Sequence, residues 1–307
     1  MLGLLSGAIT SWGSDHSPFR GQVPPADVLL MVLLAVFCGG WLNAASNAVN
    51  QIYDLEIDRL NKPNRPLVQG RIRPSTTWIL TLLGFLGPLL LTWLVVPLPG
   101  STWRSRAFAP WWVHECTLFF LLASILTLVY SVPCLGRTKA HLWLANLTIA
   151  LPRGLFLKVA GWSVLASARQ FEPWYIGLCF FLFLLGASST KDFSDMRGDQ
   201  AGGVLTLPLR YGPRKAAWLI APFLVLPWLL IPLGTLPWFH GKSLLTGNAF
   251  ALRLLGLSLV LWGALVARSI LRDPEELSRS ENHPSWSQMY AMMIWAQLGF
   301  AISYLLP

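Results

Sequence analysis

Three oxygen-bearing side chains recur at steps of four where the first long apolar run ends. They are Asn50, Asp54 and Asp58, within NAVNQIYDLEIDRLNKPNRPLVQG (47–70). On a helix those steps align them on one face, one turn apart. A basic, proline-broken loop with Arg59, Lys62 and Arg65 follows at once. Far downstream, SSTKDFSDMRGDQAGG closes another apolar run and carries Asp192, Asp195 and Asp199 at spacings of three and four. These also share a face if the helix continues through them. Six of the 14 Asp and Glu lie in these two stretches, an uneven spread that calls for a reason.

Hard oxygen donors with no competing His or Cys suit Mg²⁺ rather than zinc. Mg²⁺ keeps waters and shares its shell with substrate phosphates, which accounts for the neighbouring Arg and Lys. Five carboxylates lined up on a bare surface would repel one another, and cations with an anionic ligand resolve that repulsion. The same cations would stabilise a departing diphosphate. A solvated helix end with ordinary surface acids explains one such cluster as well as a metal does. It explains two on one face poorly.

The elements that must hold these residues are membrane helices. The 307 residues are 54% hydrophobic and only 12% charged, with mean hydropathy +0.53, too apolar for a soluble domain of this size. A net charge of +9 would suggest nucleic acid in a soluble chain. Here basic loops bordering a lipid bilayer account for it, and no nucleic-acid partner is expected. The four cysteines lack CxxC spacing and the five histidines are scattered, which argues against a disulfide framework, a zinc site or a haem site. At about 20 apolar residues per crossing, spans are expected near Val28–Val49, Trp78–Val96, Trp111–Val132, Leu142–Trp162, Trp174–Ser189, Ala216–Thr235, Phe250–Val266 and Trp286–Leu306. Met1–Trp12 is apolar but too short to cross, and it lacks the features of a signal peptide. It reads as the second half of a ninth helix: either the protein uses a stub there or, the favoured reading, the front is clipped and the true start lies upstream.

With that stub counted first, the loops after the second, fourth, sixth and eighth helices share one face. They carry 15 of the 23 Lys and Arg, and the opposite loops carry six. The positive-inside bias makes the first face cytoplasmic, and both acidic stretches fall on it. The second and sixth helices lie four apart, which hints at a pseudo-repeat centred on them. Asp273 to Glu281 reads as a polar inter-helix loop.

Asn50-x3-Asp54-x3-Asp58 followed by NKPNRPL, YSVP at Tyr130–Pro133, and KDxxDxxGD at Lys191–Asp199 resemble the UbiA superfamily of intramembrane prenyltransferases. The resemblance covers nearly the whole chain in motif order and helix count. It implies an all-α polytopic membrane protein, one transmembrane domain over residues 1–307. The bundle would have nine helices, the first truncated, around a cytoplasm-facing cavity in a bacterial or archaeal plasma membrane. It further implies Mg²⁺ and an isoprenyl diphosphate donor held by two motifs, Asn50, Asp54 and Asp58 with Asp192, Asp195 and Asp199, Asp54 and Asp192 being indispensable. Arg65, Lys139, Arg137 and Lys191 would hold diphosphate oxygens, and the prenyl tail would enter a lipid-accessible chamber. The family's Arg-Pro start, which contributes to the diphosphate site, is missing here. Tyr130 is the candidate beside the reacting carbon, where an aromatic face would hold an allylic cation; a plain interfacial tyrosine explains it equally well.

The fifth helix carries the acceptor clue. Asn146, Arg153 and Lys158 interrupt LANLTIALPRGLFLKVAGW, and charges at membrane depth are expensive and usually functional. Arg153 sits between Pro152 and Gly154, which predicts local backbone irregularity and a guanidinium facing the cavity, where it would meet either a polar acceptor or the diphosphate. Lys158, nearer the outer end, fits a snorkelling lysine equally well. NQIYD with the RG pair resembles the homogentisate branch, whereas NKPNRP resembles the branch making archaeal-type ether lipids. An aromatic acceptor, a glycerophosphate-lipid precursor and a tetrapyrrole all remain open. From another class, a proton- or ion-coupled transporter also uses intramembrane acids, but it favours acids near helix centres rather than at helix ends.

Overall fold

The computed structural model describes residues 1–19, 26–238, 241–279 and 283–307. Among them the chain is helical throughout, with no sheet. In chain order the helices are α1 (Leu2–Gly13), α2 (Ala26–Tyr53), α3 (Leu55–Asn61), α4 (Pro74–Thr92), α5 (Trp103–Ala107), α6 (Glu115–Ser131), α7 (Leu142–Ala150) and α8 (Leu157–Trp162). They continue with α9 (Phe171–Ala187), α10 (Asp192–Ala201), α11 (Leu207–Val225), α12 (Leu230–Gly234), α13 (Ala249–Arg272), α14 (Pro274–Arg279) and α15 (Pro284–Leu305).

Six helical runs among the described residues are long and apolar enough to cross a bilayer: Ala26–Tyr53, Pro74–Thr92, Leu142–Trp162, Phe171–Thr190, Leu207–Gly234 and Ala249–Arg272. Their outward faces confirm the solvent they are built for. Leu90 on α4 and Leu261 on α13 are 72% and 68% exposed, within stripes of exposed leucines that water would penalise and lipid does not. The expected eight spans and a stub are therefore matched in type but not in count. α6 has 17 residues, about 26 Å of helix, because Trp111–Val113 forms a separate 3₁₀ turn ahead of it. α15 is 22 residues long, but Ser285, Ser287, Gln288, Gln297 and Ser303 dilute its apolar character. α1 has 12 residues and packs along α8 and α15.

The packing divides between two cores. One gathers Leu4, Met31, Cys38, Phe119, Phe120 and Val159 from α1, α2, α6 and α8. The other gathers Phe180, Phe183, Trp228, Met292 and Phe300 from α9, the turn before α12, and α15. The acidic stretches meet where the halves join, since α3 packs against α10. The expected loop at 273–281 is helical over Pro274–Arg279, because Pro274 and Leu277 are buried against α10 and α11; Glu281 lies outside the described residues.

The fifth span bears out its predicted irregularity. Pro152 has no N–H to donate, and Leu151–Phe156 winds as a π turn in which the Leu157 N–H reaches the Pro152 carbonyl, five residues back. Lys158, one turn on, does not snorkel. It is 1% exposed, and its ammonium donates to Ser6 Oγ at 2.7 Å and Gln297 Oε1 at 3.4 Å. The Phe300 ring lies 5.2 Å from it. Hydroxyl, amide and ring face replace the water that a buried ammonium loses.

Candidate active site

The first motif is held by an almost unbroken helix. Backbone N–H groups of Asp54, Asp58 and Lys62 donate to the carbonyls of Asn50, Asp54 and Asp58 at 3.0, 2.7 and 2.7 Å. A kink at Asp54 (φ −103°, ψ 10°) separates α2 from α3 without breaking this ladder, so the four side chains stack at one-turn steps as the spacing requires. The proline-broken loop then curls back, with Arg65 N–H on the Lys62 carbonyl at 3.1 Å, and the Arg65 guanidinium reaches Asp58.

The second motif continues α9 through a 3₁₀ turn, Ser188–Thr190, directly into α10. Lys191 between them keeps helical dihedrals (φ −70°, ψ −33°), so Asp192, Asp195 and Asp199 lie on a real helix. Asn146 on α7 is 3% exposed and donates to Ser189 Oγ at 2.5 Å, fixing that turn.

All six motif residues line one cavity of about 160 Å³, with Lys62, Arg65, Lys139, Lys191 and Tyr130 on the same walls. A second cavity of about 350 Å³ shares Asn50, Arg65, Tyr130 and Lys191 with it and adds Arg153. A third, of about 120 Å³, is walled by apolar residues including Leu4, Leu42, Phe119, Phe120, Phe156 and Leu157, and it shares Arg153 with the second. Every sequence-expected site residue except Arg137 therefore borders this connected space. Arg137 reaches it indirectly, its guanidinium 3.3 Å from Asp54 Oδ1. It does so from a left-handed conformation (φ 40°, ψ 59°) just after Gly136 (φ 104°), a backbone cost that a turn holding a functional guanidinium explains.

Cations and carboxylates are interleaved. Asp54 takes Lys139 and Arg137, Asp58 takes Arg65, and Asp195 takes Lys62 at 2.8 Å. Among the described residues Asp192 and Asp199 have no such ion pair. Burial first, then Asp199 and Asp195, push the Asp192 carboxyl well above the usual carboxylate range. Asp199 is pushed up to about 7 by burial and by Asp195, with Lys139 opposing. Burial likewise raises Asp58 against the pull of Arg65, and it lowers Lys139 against the pull of Asp54. Burial lowers Lys191 too, helped by Lys62. The α10 side thus gathers carboxyl groups whose ionised form the protein's own cations leave under-compensated, so that they hold their protons until a cation arrives.

Whether these residues fit Mg²⁺ follows from that donor set. Among the described residues no three His, Cys, Asp or Glu side chains converge tightly enough to cage a metal. Mg²⁺ does not need a cage, because it takes one or two carboxylates and completes its shell with water and phosphate oxygens. The under-compensated Asp192 and Asp199, facing Asn50 and Asp54 across one cavity, fit that demand.

Sequence reasoning left three partners unassigned. Lys62 continues the four-residue step beyond Asp58, a signal that was present, and it pairs with Asp195. Ser189 receives Asn146. Trp286 on α15 lies under Lys191, its ring 5.4 Å from the ammonium, and no local pattern marks it.

A family model described as the UbiA prenyltransferase family matches residues 10–279. The chain belongs to that family. It is a prenyltransferase and an integral membrane protein, which excludes the transporter reading of its acids. Among UbiA proteins it is 31% identical over 224 residues to digeranylgeranylglyceryl phosphate synthase of Pyrococcus abyssi, a match spanning 73% of this chain and 70% of the relative. It is 28% identical to the chloroplastic 2-acylphloroglucinol 4-prenyltransferase of Humulus lupulus, over 80% of this chain and 54% of the relative. Its fold resembles that of a UbiA homolog from Archaeoglobus fulgidus bound to GPP and Mg²⁺, with a TM-score of 0.69 at 19% identity, covering 99% of this chain and 94% of the other.

Proposed function

We propose that this UbiA-family chain, acting as one transmembrane domain, transfers an isoprenyl group from a polyprenyl diphosphate to an aromatic or lipid-precursor acceptor, with Mg²⁺ at the two acidic motifs. The single observation that carries this is the joining of both motifs and their basic neighbours around one cavity that opens towards an apolar chamber. Asn50, Asp54 and Asp58 on one wall and Asp192, Asp195 and Asp199 on the other would hold the metal. When bound, Mg²⁺ neutralises charge gathering on the leaving diphosphate.

The chain's own residues do the rest. Lys139, Arg137 and Arg65 sit on Asp54 and Asp58 in the free site and turn to diphosphate oxygens when the donor arrives. Lys62 and Lys191 border the same space. As the allylic C–O bond breaks, diphosphate leaves with the electron pair, and the Tyr130 ring face stabilises the positive carbon at the junction of the two polar cavities. The apolar walls beyond exclude water that would otherwise capture it. The acceptor's nucleophilic atom then bonds to that carbon and loses its proton.

The named chemistry of the Pyrococcus relative favours a glycerophosphate-lipid acceptor, and that of the Humulus relative favours an acylated phenol. A panel decides between them: membranes containing the chain, supplied with Mg²⁺ and geranyl to geranylgeranyl diphosphates, are offered phenolic and prenylglyceryl phosphate acceptors. Prenylated product in one class and not the other identifies the acceptor. No product with any pair would sink the proposal.

The cavity's side of the membrane is testable with a native residue. Cys134, in the turn after α6, is exposed, while Cys38, Cys116 and Cys179 are buried. A membrane-impermeant maleimide should label it in inside-out vesicles and not in intact cells. Labelling of intact cells, lost in Cys134→Ser, would reverse the cytoplasmic assignment.

A further inference from the structure

Four residues border both the 350 Å³ cavity and the apolar chamber: Ser46, Thr127, Pro152 and Arg153. They form a polar neck between a polar room and an apolar one. Thr127 Oγ1 donates across the gap between α6 and α2 to Ser46 Oγ at 3.5 Å. Arg153 is delivered by the π turn and keeps its side chain exposed to this space. Among the described residues it forms no ion pair and no hydrogen bond, while the acids of the two motifs hold Lys139, Arg137, Arg65 and Lys62 instead.

A guanidinium does not shed its proton in a protein, and one facing a cavity at this depth has an anion as its natural partner. The donor diphosphate is not that anion, because five cations already surround the acidic cavity, which Arg153 does not border. A prenyl tail passing this neck towards the chamber supplies no partner for the guanidinium, since its carbons accept no hydrogen bond. What remains is the second substrate. Tyr130 borders the acidic cavity and the middle one, whereas Arg153 borders the middle one and the chamber. A group held by Arg153 would therefore lie on the far side of Tyr130 from the diphosphate, where an attacking acceptor belongs.

We propose that Arg153, with the Ser46 and Thr127 hydroxyls, binds the anionic group of the acceptor, a carboxylate or a phosphate, and so restricts the acceptor to acidic molecules. Arg153 presents paired N–H donors that match either oxyanion, and the Ser46 hydroxyl, which accepts from Thr127, is left with its own proton as a third donor. The inference rests on the prenyl-transfer reading of the cavity.

Its test measures binding separately from turnover. The full chain in nanodiscs is given two labelled pairs: a hydroxyphenyl carboxylate with its methyl ester, and a prenylglyceryl phosphate with its dephosphorylated alcohol. At least one anion should bind the wild type about tenfold or more tightly than its neutral partner, and which pair does so separates carboxylate from phosphate. Arg153→Gln should weaken that anion about 10- to 100-fold, the range for a charge-assisted hydrogen-bonded contact. It should leave the neutral partner and the diphosphate donor within about threefold, and Arg153→Lys should recover part of the loss. If Arg153→Gln does not fold, the double variant Ser46→Ala/Thr127→Val carries the same test with a smaller shift. Equal weakening of anion and neutral partner, a loss confined to the donor, or a wild type indifferent to charge would overturn the inference. A charge preference that depends on Arg153 in a chain that transfers no prenyl group would uphold it and sink the proposed function instead.

Discussion

Replacing Asp192 by Ala is expected to lower Mg²⁺-dependent prenyl transfer by about 10³-fold or more, and Asp54→Asn by a similar factor, with membrane insertion intact. One preorganised electrostatic contact to a leaving group is worth about 10²–10³ in rate, and a carboxylate that also holds the metal carries more than one such contact. Asn is the better replacement at Asp54, because Ala would leave Lys139 buried beside an empty space where its partner stood. Asp192 has no ion pair among the described residues, so truncating it strands no cation. Glu56 supplies the control. It lies in the same acidic stretch, but its side chain is 78% exposed and, among the described residues, pairs only with Arg59 one turn away. Glu56→Ala should leave turnover within about twofold, as for an ordinary surface ion pair. The readout is initial rate across a Mg²⁺ titration. Turnover within tenfold of wild type for Asp192→Ala at saturating Mg²⁺ would remove the metal assignment, and a loss as large in Glu56→Ala would make the effect one of general charge.

The contrast between Asp192 and Glu56 also shows what could be read from the chain and what could not. The steps Asn50, Asp54, Asp58 and Asp192, Asp195, Asp199 were legible because helical period alone decides which side chains share a face. Their meeting in one cavity followed from the family resemblance. The pairing of Lys62 with Asp195, 133 positions apart, is a tertiary contact that no local pattern encodes. Arg137 was expected near the diphosphate, yet its left-handed backbone is visible only where Gly136 has already turned the chain. Lys158 could be read two ways because snorkelling and burial demand the same residue at the same depth. The deciding partners, Ser6, Gln297 and Phe300, come from the two ends of the chain. The polar neck was half legible: Arg153 stood out as a charge in an apolar run, while Ser46 and Thr127 looked like ordinary small residues in membrane helices.

Gly154→Val is expected to be strongly damaging although it lies outside the acidic motifs. A Cβ at Gly154 would stand 2.6 Å from Phe181 Cα and 2.7 Å from Phe181 N, and these are backbone atoms of α9 that no side-chain rotation can move away. The π turn presses here against α9 without a side chain between them, and this is how Pro152 and Arg153 come to border both cavities. Valine would force the two helices apart. Overpacking costs about 1–3 kcal/mol in deformable cores and more against fixed backbone. For a chain of this size about 3 kcal/mol corresponds to a fall of roughly 5 °C in melting temperature, and a fall of at least that size is expected. The consequences reach the chemistry, because α9 leads directly into Lys191 and Asp192. A shift of about 1 Å in that segment would separate the two acidic motifs and could cost about 10²-fold in rate. Leu147→Val, on an exposed position of α7, makes a conservative change in the same span and should alter neither quantity appreciably. Melting of the detergent-solubilised protein and initial-rate assays on the same samples test this. If Gly154→Val melts with the wild type and keeps its turnover, the close packing of the π turn on α9 is not what positions the second motif.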